Sequence, residues 1–268
     1  MPELPEVEAV VRRLREASVG ARIHSVKVER KGTIAPQHPD DFAPLVGKTI
    51  QKVRRRAKYI FIELSGGLFL QIHLRMTGNL YVLPDYRFLP ASTRVWLRLN
   101  DGRAVVFADG RALGKVHIAS AKSIAAVEAG LGPEPLEESF TAAALKEILK
   151  GLRGPVKPAI MNQKRIAGIG NIYASEALWH ARIDPRISAG AISARKVTAL
   201  HAAIQKVLQE AAASAYKEYA QPGTAVDSES FGVAVYGRKG EPCLRCAKPV
   251  QRVVQGGRSS YFCGGCQR

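Results

Sequence analysis

The chain has 268 residues, 46% of them hydrophobic and 24% charged, enough to close two modest apolar cores and too apolar for a disordered chain. Lys and Arg number 40 against 23 acids, and the formal net charge of +17 points to a polyanionic partner, although ribosomal and membrane-surface proteins can be as basic. No apolar run approaches the roughly 18 residues of a membrane span, and the acidic start at Glu3, Glu6 and Glu8 is unlike a secretory or transit peptide, so the expected home is the cytoplasm or nucleoid.

Residues 3 to about 18 are expected to form a helix. Pro5 suits a first turn, acids cluster there, and Leu4, Val7, Val11 and Leu14 recur at helical spacing before Gly20. From Ile23 to Ile118 the sequence breaks into short β-branched or aromatic runs: YIFIEL (59–64), LFLQIHL (68–74), RVWLRL (94–99) and RAVVFA (103–108) among them. With Gly66-Gly67 and Asp101-Gly102 as turn pairs, this pattern predicts an antiparallel sandwich or barrel. Inside it, KVRRRAKY (52–59) carries five cations and reads either as a solvated face or as a phosphate contact.

After Gly130 the character changes. The Pro-rich LGPEPL (131–136) is expected to be a linker, and Ala- and Leu-rich stretches around 141–150 and 193–219 to be helices. Between them, GIGNIYASEALW (168–179) sets two glycines and an Asn ahead of an apolar, helix-like run. Backbone amides in such a turn can hold a phosphate, or the segment is merely a turn. Beyond Gln221 comes a Gly- and Ser-containing loop, then a compact basic tail from Tyr236 to Arg268.

All four cysteines lie in the last 26 residues, as Cys243-x2-Cys246, sixteen residues, and Cys263-x2-Cys266. Two such knuckles bring four thiolates to tetrahedral geometry, so one zinc ion is expected, structural because no coordination position stays open. Arg238, Lys239, Arg245, Lys248, Arg252, Arg258 and Arg268 surround the cysteines against the single acid Glu241, which suits a hairpin that grips DNA phosphate. At the other end, a small second residue permits removal of Met1. That would expose the secondary amine of Pro2, unprotonated in part near neutrality, with Glu3 and Glu6 near it to move protons. The same residues also make an ordinary Pro-started, acid-capped helix.

Taken together, MPELPEVE, RRAKY, HLRMTG, LGPEPL, GIGNIYASE, VYGRKGEPC and the closing CxxC pair closely resemble the bacterial formamidopyrimidine-DNA glycosylase family, which includes endonuclease VIII. The matches run in family order from first residue to last. The resemblance implies an α+β multidomain fold. An N-terminal catalytic β-sandwich with a leading helix (1–131) precedes a helical DNA-binding domain with a helix-two-turns-helix element (132–235) and a four-cysteine zinc β-hairpin (236–268), with double-stranded DNA held in the cleft between by a monomer. It implies a DNA glycosylase and AP lyase of base excision repair, acting on a base flipped from the stack. In that scheme Pro2 attacks C1′ to form a Schiff base, Glu3 donates a proton to the opening sugar and Glu6 supports it. Lys58 assists β-elimination and Arg258 δ-elimination. His73, Arg153 and Asn171 match phosphate-contact positions, and Arg94 and Lys157, the latter matching a lysine of less defined role, are also expected to bind DNA.

Departures fall where substrate is chosen. The family fills the gap left by the flipped base with Met, Arg and Phe; here Met76 and Arg111 are kept, while FADGRALG (107–114) puts Leu113 in place of Phe. Leu wedges but cannot stack on a base as an aromatic ring does. An HDH-like segment reads Ser92-Thr93-Arg94, which replaces or loses a histidine contact, and the 223–231 loop looks shortened. Formamidopyrimidines are therefore expected ahead of 8-oxoguanine. An oxidised-pyrimidine specificity like that of endonuclease VIII and a non-catalytic sensor of damaged DNA are the alternatives. PELPEVE rather than a PEGPE start argues against the first, and retention of Pro2, Glu3, Lys58 and Arg258 against the second.

Overall fold

Helix α1 spans Leu4–Ser18 in the computed structural model, which describes residues 2–218 and 231–268. Pro5 occupies its first turn, and the carboxylate of Glu6 reaches back to the N–H of Glu3 at 2.7 Å, the return limb of a capping box. The predicted stripe of Leu4, Val7, Val11 and Leu14 is buried.

Eight strands follow: β1 (Ile23–Val28), β2 (Ile50–Arg56), β3 (Tyr59–Leu64), β4 (Leu68–His73), β5 (Gly78–Leu83), β6 (Thr93–Leu99), β7 (Ala104–Asp109) and β8 (Lys115–Ser120). A single turn, α2 (Lys31–Ile34), follows β1, and α3 (Ala121–Ala129) follows β8. The strands form two antiparallel sheets, β1-β6-β7-β5 and β2-β3-β4-β8, which makes the predicted sandwich. Ile62, Leu70, Ile72 and Val116 of one sheet share a core with Leu80, Val95, Leu97, Val105 and Phe107 of the other, joined by Val7, Val10, Val11 and Leu14 of α1. β6 alternates strictly, as a half-buried strand must. β7 is buried throughout, because Ala104 and Val106 on its outer face lie under Tyr86, Leu89 and Trp96.

The five-cation run belongs to β2 and its hairpin to β3, and Arg54 and Arg55 in it are paired with acids. Arg55 donates to Glu8 of α1 at 2.9 Å, and Arg54 pairs with Glu63 and Glu128. These pairs clamp α1 and α3 to the sheet.

The described chain divides into two compact units, residues 2–129 with 212–218 and residues 130–211 with 231–268. The second holds α4 (Ala142–Leu149), α5 (Val156–Met161), α6 (Asn171–His180) and most of α7 (Ala194–Glu218), then the hairpin of β9 (Gln251–Gln255) and β10 (Arg258–Phe262). Residues 131–136, expected to be a linker, are instead a strap packed within this unit. Gly132 donates to Gln163 O at 2.8 Å, and Ala167 donates to Pro133 O at 3.0 Å. A Cβ on Gly132 would stand 2.4–2.8 Å from the backbone of Arg165 and Ile166, so glycine is required by close approach. Among the described residues, no helix is long and apolar enough to cross a membrane.

Candidate functional site

In the first unit the expected catalytic residues start the chain. Pro2 is buried, and Glu3 and Glu6 are each 1% exposed at the beginning of α1. Lys58 sits in the two-residue turn of the β2–β3 hairpin, 8% exposed, directly after Ala57, whose φ of 52° is left-handed. Neighbouring Tyr59 pairs across to His73, so Lys58 and His73 lie at the same end of the second sheet. Burial first, then the charges of Arg75 and Lys58, lower the His73 pKa to about 4. Its Nδ1 accepts the Arg75 N–H at 3.0 Å, which leaves the proton of the neutral ring on Nε2. The ring therefore offers an uncharged N–H donor, a suitable partner for a phosphate oxygen.

Two turns of the same unit carry the expected wedge residues. Met76, in the turn from β4 to β5, is 41% exposed, and Leu113, in the turn from β7 to β8, is 43% exposed beside exposed Arg111. Arg94 does not project freely: its Nε donates to the carbonyl of Asp109 at 2.8 Å. The glycine that ends HLRMTG is explained by packing, since a Cβ on Gly78 would lie 2.4 Å from Leu74 O.

In the second unit Lys157 is 1% exposed. Its ammonium donates to Asn171 Oδ1 at 2.6 Å, Ser259 O at 2.8 Å and Ser260 Oγ at 3.1 Å. Its three N–H groups thus tie α5 to the start of α6 and to β10, a joint inside the protein. Asn171 also donates to Tyr236 Oη at 3.3 Å. Helix α6 opens at Asn171 behind Gly168, whose φ is 82°, and Gln163 staples that turn by accepting the Gly168 N–H at 2.8 Å and donating to Ile169 O at 2.7 Å. Arg153 is exposed between α4 and α5. Arg258 is exposed at the head of β10, presented by Gly256-Gly257, whose φ values of 54° and 73° suit a type I′ hairpin turn. A cavity of about 160 Å³ opens beside Arg258 and Lys157.

The Sγ atoms of Cys243, Cys246, Cys263 and Cys266 all lie within 4.8 Å of one another. Four thiolates each about 2.3 Å from one zinc ion stand roughly 3.8 Å apart, so the cluster fits a closed tetrahedral site. The Trp179 indole N–H points at Cys243 Sγ at 3.5 Å, and the Arg245 guanidinium lies over the Trp179 ring at 4.0 Å. The donor from Trp179 stabilises thiolate charge and orients the ligand.

Family models match three stretches covering most of the chain: the formamidopyrimidine-DNA glycosylase N-terminal domain at residues 1–116, its H2TH domain at 131–219, and a zinc finger found in FPG and IleRS at 240–268. The chain belongs to the formamidopyrimidine-DNA glycosylase family. The formamidopyrimidine-DNA glycosylase of Chloroflexus aurantiacus is 42% identical, the match covering 100% of this chain and 98% of the relative. That of Paracoccus denitrificans is 40% identical over 100% of both. Among solved structures, Lactococcus lactis Fpg in complex with DNA containing an abasic site superposes with a TM-score of 0.90 at 29% identity over 99% of both chains. The wild-type L. lactis protein with DNA containing N7-benzyl-Fapy-dG gives 0.90 at 30% identity over 100% of both. With its four-cysteine cluster and the family's zinc finger, this glycosylase-family chain carries one structural zinc.

Within the family framework, four residues escaped sequence reasoning. Asp109, Glu176 and Trp179 act through partners 32, 58 and 64 residues away, whereas Gln163 acts locally, on Gly168 and Ile169. Two other expectations, loss of Met1 and shortening of the 223–231 loop, fall outside the described residues, except that Phe231 packs edge-on against Tyr173 at 5.7 Å.

Proposed function

We propose that the protein is a bifunctional DNA glycosylase and AP lyase of base excision repair that removes oxidised bases, formamidopyrimidines first, from double-stranded DNA. The amino-terminal Pro2-Glu3 pair carries this reading: it is buried at the start of α1 in a chain that matches, over its whole length, proteins named formamidopyrimidine-DNA glycosylase. Once Met1 is removed, the Pro2 nitrogen attacks C1′, the glycosidic bond breaks and the base leaves. Glu3, buried and acidic, donates a proton to the ring oxygen as the sugar opens, giving an iminium with Pro2. That iminium acidifies C2′. Loss of a C2′ proton expels the 3′ phosphate, and a second elimination expels the 5′ phosphate.

In this scheme Glu6 holds the Glu3 backbone and supports its carboxyl. Lys58 binds phosphate and moves a proton in the first elimination, and exposed Arg258 does so in the second. His73, Arg153 and Asn171 contact phosphate, while Met76, Arg111 and Leu113 fill the gap left by the flipped base. Lys157 and Arg94 act by holding Asn171 and Asp109 in place. The segments 1–131, 132–235 and 236–268 serve as catalytic, duplex-binding and zinc-hairpin parts of a monomer acting in the cytoplasm or nucleoid. Zinc performs no step.

Borohydride added to the protein and an aldehydic abasic duplex is expected to trap a covalent adduct at Pro2, located by peptide mass spectrometry. Absence of adduct from protein whose intact mass shows Met1 removed would overturn the proposal. Single-turnover excision from duplexes with one defined lesion each is expected to rank formamidopyrimidine above 8-oxoguanine and oxidised pyrimidines. That order rests on the short 223–231 segment of the sequence, since the loop that closes over the flipped base is longer in 8-oxoguanine specialists of the family.

A further inference from the structure

The two turns that carry Met76, Arg111 and Leu113 leave different strands, yet they meet on one buried carboxylate. Asp109 ends β7 and is 1% exposed. Its Oδ1 accepts the Thr77 hydroxyl at 2.5 Å and the Arg111 N–H at 3.2 Å, and its Oδ2 accepts the Gly114 N–H at 2.7 Å. Thr77 follows Met76 directly, and Gly114 follows Leu113. The same residue is fixed along its backbone: its N–H donates to Ser92 O at 2.9 Å, and its carbonyl accepts from Arg94 Nε at 2.8 Å and from Ala112 N at 3.2 Å.

Both turns need such a clamp. Each contains a non-glycine residue in the left-handed region, Arg75 at φ 57° and Ala112 at φ 54°, conformations that a free loop would leave. Exposed Met76 and Leu113 have few neighbours to fix them, so their relative placement depends on the turns beneath. A carboxylate can serve this purpose because it is acceptor-only, matching the donors that converge on it. Burial pushes the Asp109 pKa up, but the Thr77 hydroxyl and the N–H groups of Gly114, Arg111 and Leu113 outweigh it and hold the group below the usual range, hence ionised at neutral pH.

We propose that Asp109 is a positioning residue for lesion recognition, locking Met76, Arg111 and Leu113 into one preformed wedge. The inference rests on the reading of those three side chains as the fillers of the duplex gap. A preformed wedge spares the ordering cost of two loops when the base is flipped, and this benefit exists only where a partner strand leaves a gap to fill. Asp109 touches no reacting atom, so the chemistry of Pro2 on an already exposed abasic sugar does not depend on it.

The test compares two substrates. Excision of a formamidopyrimidine from duplex DNA reads recognition plus chemistry, whereas borohydride trapping on a single-stranded oligonucleotide with an aldehydic abasic site reads chemistry without a gap. In Asp109→Asn the amide nitrogen must face an N–H or hydroxyl donor. This variant is expected to lose tenfold or more in duplex excision and to stay within about twofold of wild type in single-strand trapping. Thr77→Val, which removes one of the clamping bonds, should move the same ratio in the same direction by less, and it serves if Asp109→Asn does not fold. Combining Asp109→Asn with Met76→Ala and Leu113→Ala should add little further loss, since both act through the same wedge.

Equal losses on both substrates in a folded Asp109→Asn protein, or full additivity with the wedge changes, would overturn the inference. Failure of the functional reading looks different: wild type would then trap neither substrate, or Met76→Ala with Leu113→Ala would leave duplex excision intact.

Discussion

At His73, burial and two neighbouring cations act in the same direction, taking the pKa from an ordinary 6.5 to about 4. A basic group depressed in the fold costs stability in acid. Between those two values the unfolded chain takes up a proton that the folded chain refuses, so stability falls as pH drops from about 6.5 towards 4 and levels off below. The depression corresponds to at most about 3 kcal/mol. Urea midpoints at about pH 7 and about pH 4.5 should therefore differ less for His73→Gln than for wild type. Glu8 and Asp109, whose pKa values are lowered, add acid sensitivity of their own but common to both proteins, so the difference isolates the histidine. An unchanged pH slope in His73→Gln would show that the ring is not held neutral. The sequence offered His73 only through a motif; its neutrality depends first on burial, then on Arg75 two residues on and least on Lys58 of the neighbouring hairpin, and the burial is a product of the fold that no local pattern reveals.

At the level of elements, α6 acts as a spine for the carboxyl-terminal segment. Its Tyr173 meets Phe231, and Trp179 reaches Cys243. Between them Glu176, wholly buried, accepts the N–H groups of Ala234, Val235 and Tyr236 at 2.7, 3.0 and 2.8 Å. Burial raises its pKa more than these bonds lower it, so the cost of placing the carboxyl there is offset only while all three donors are met. Glu176→Ala leaves three N–H groups without their acceptor and is expected to destabilise the protein by about 3–5 kcal/mol. Thermal unfolding would register the loss, and amide exchange at residues 234–236 would accelerate first. Slow exchange there in a folded variant would count against the anchor. Elements of this kind were legible as shapes but not as partnerships. GIGNIYASE announced a turn opening an apolar helix, and YIFIEL matches β3 residue for residue. Yet the partners of Glu176 lie 58–60 residues away, and Arg55 in the five-cation run meets a Glu8 47 residues back. Periodicity reports which face is buried; it is silent on charges that find each other across the fold. The 131–136 strap was misread for the same reason, since proline and glycine mark a linker only if nothing distant packs on them.

For the molecule as a whole, the formal charge of +17 and the zinc hairpin bear on one property, affinity for a polyanion. The apolar packing of the hairpin is small. Val254 is 63% exposed and Leu244 66%; Phe262 is fully buried, and the local cluster consists of Trp179, Ala234, Val235, Val250 and two of the cysteines, with Tyr261 and Cys266 packed against it. Metal coordination must therefore supply much of its folding free energy, as in other small zinc modules. A strong chelator, or Cys243→Ser, is expected to release one zinc per chain and unfold the hairpin. The sandwich should remain, because its core between β2-β3-β4-β8 and β1-β6-β7-β5 shares no residue with the cysteine cluster. The chain has two tryptophans, so in Trp96→Phe the emission of Trp179 alone reports the metal site. If Arg252 and Arg258 contact phosphate as proposed, their release from a fixed hairpin removes those contacts, and each lost contact lowers the slope of log affinity against log salt by about 0.9. Zinc-free protein should thus bind duplex DNA more weakly and with a shallower salt dependence, while its near-ultraviolet signal from the sandwich persists. A salt slope unchanged after zinc release would mean that the hairpin's cations do not bear on the DNA backbone.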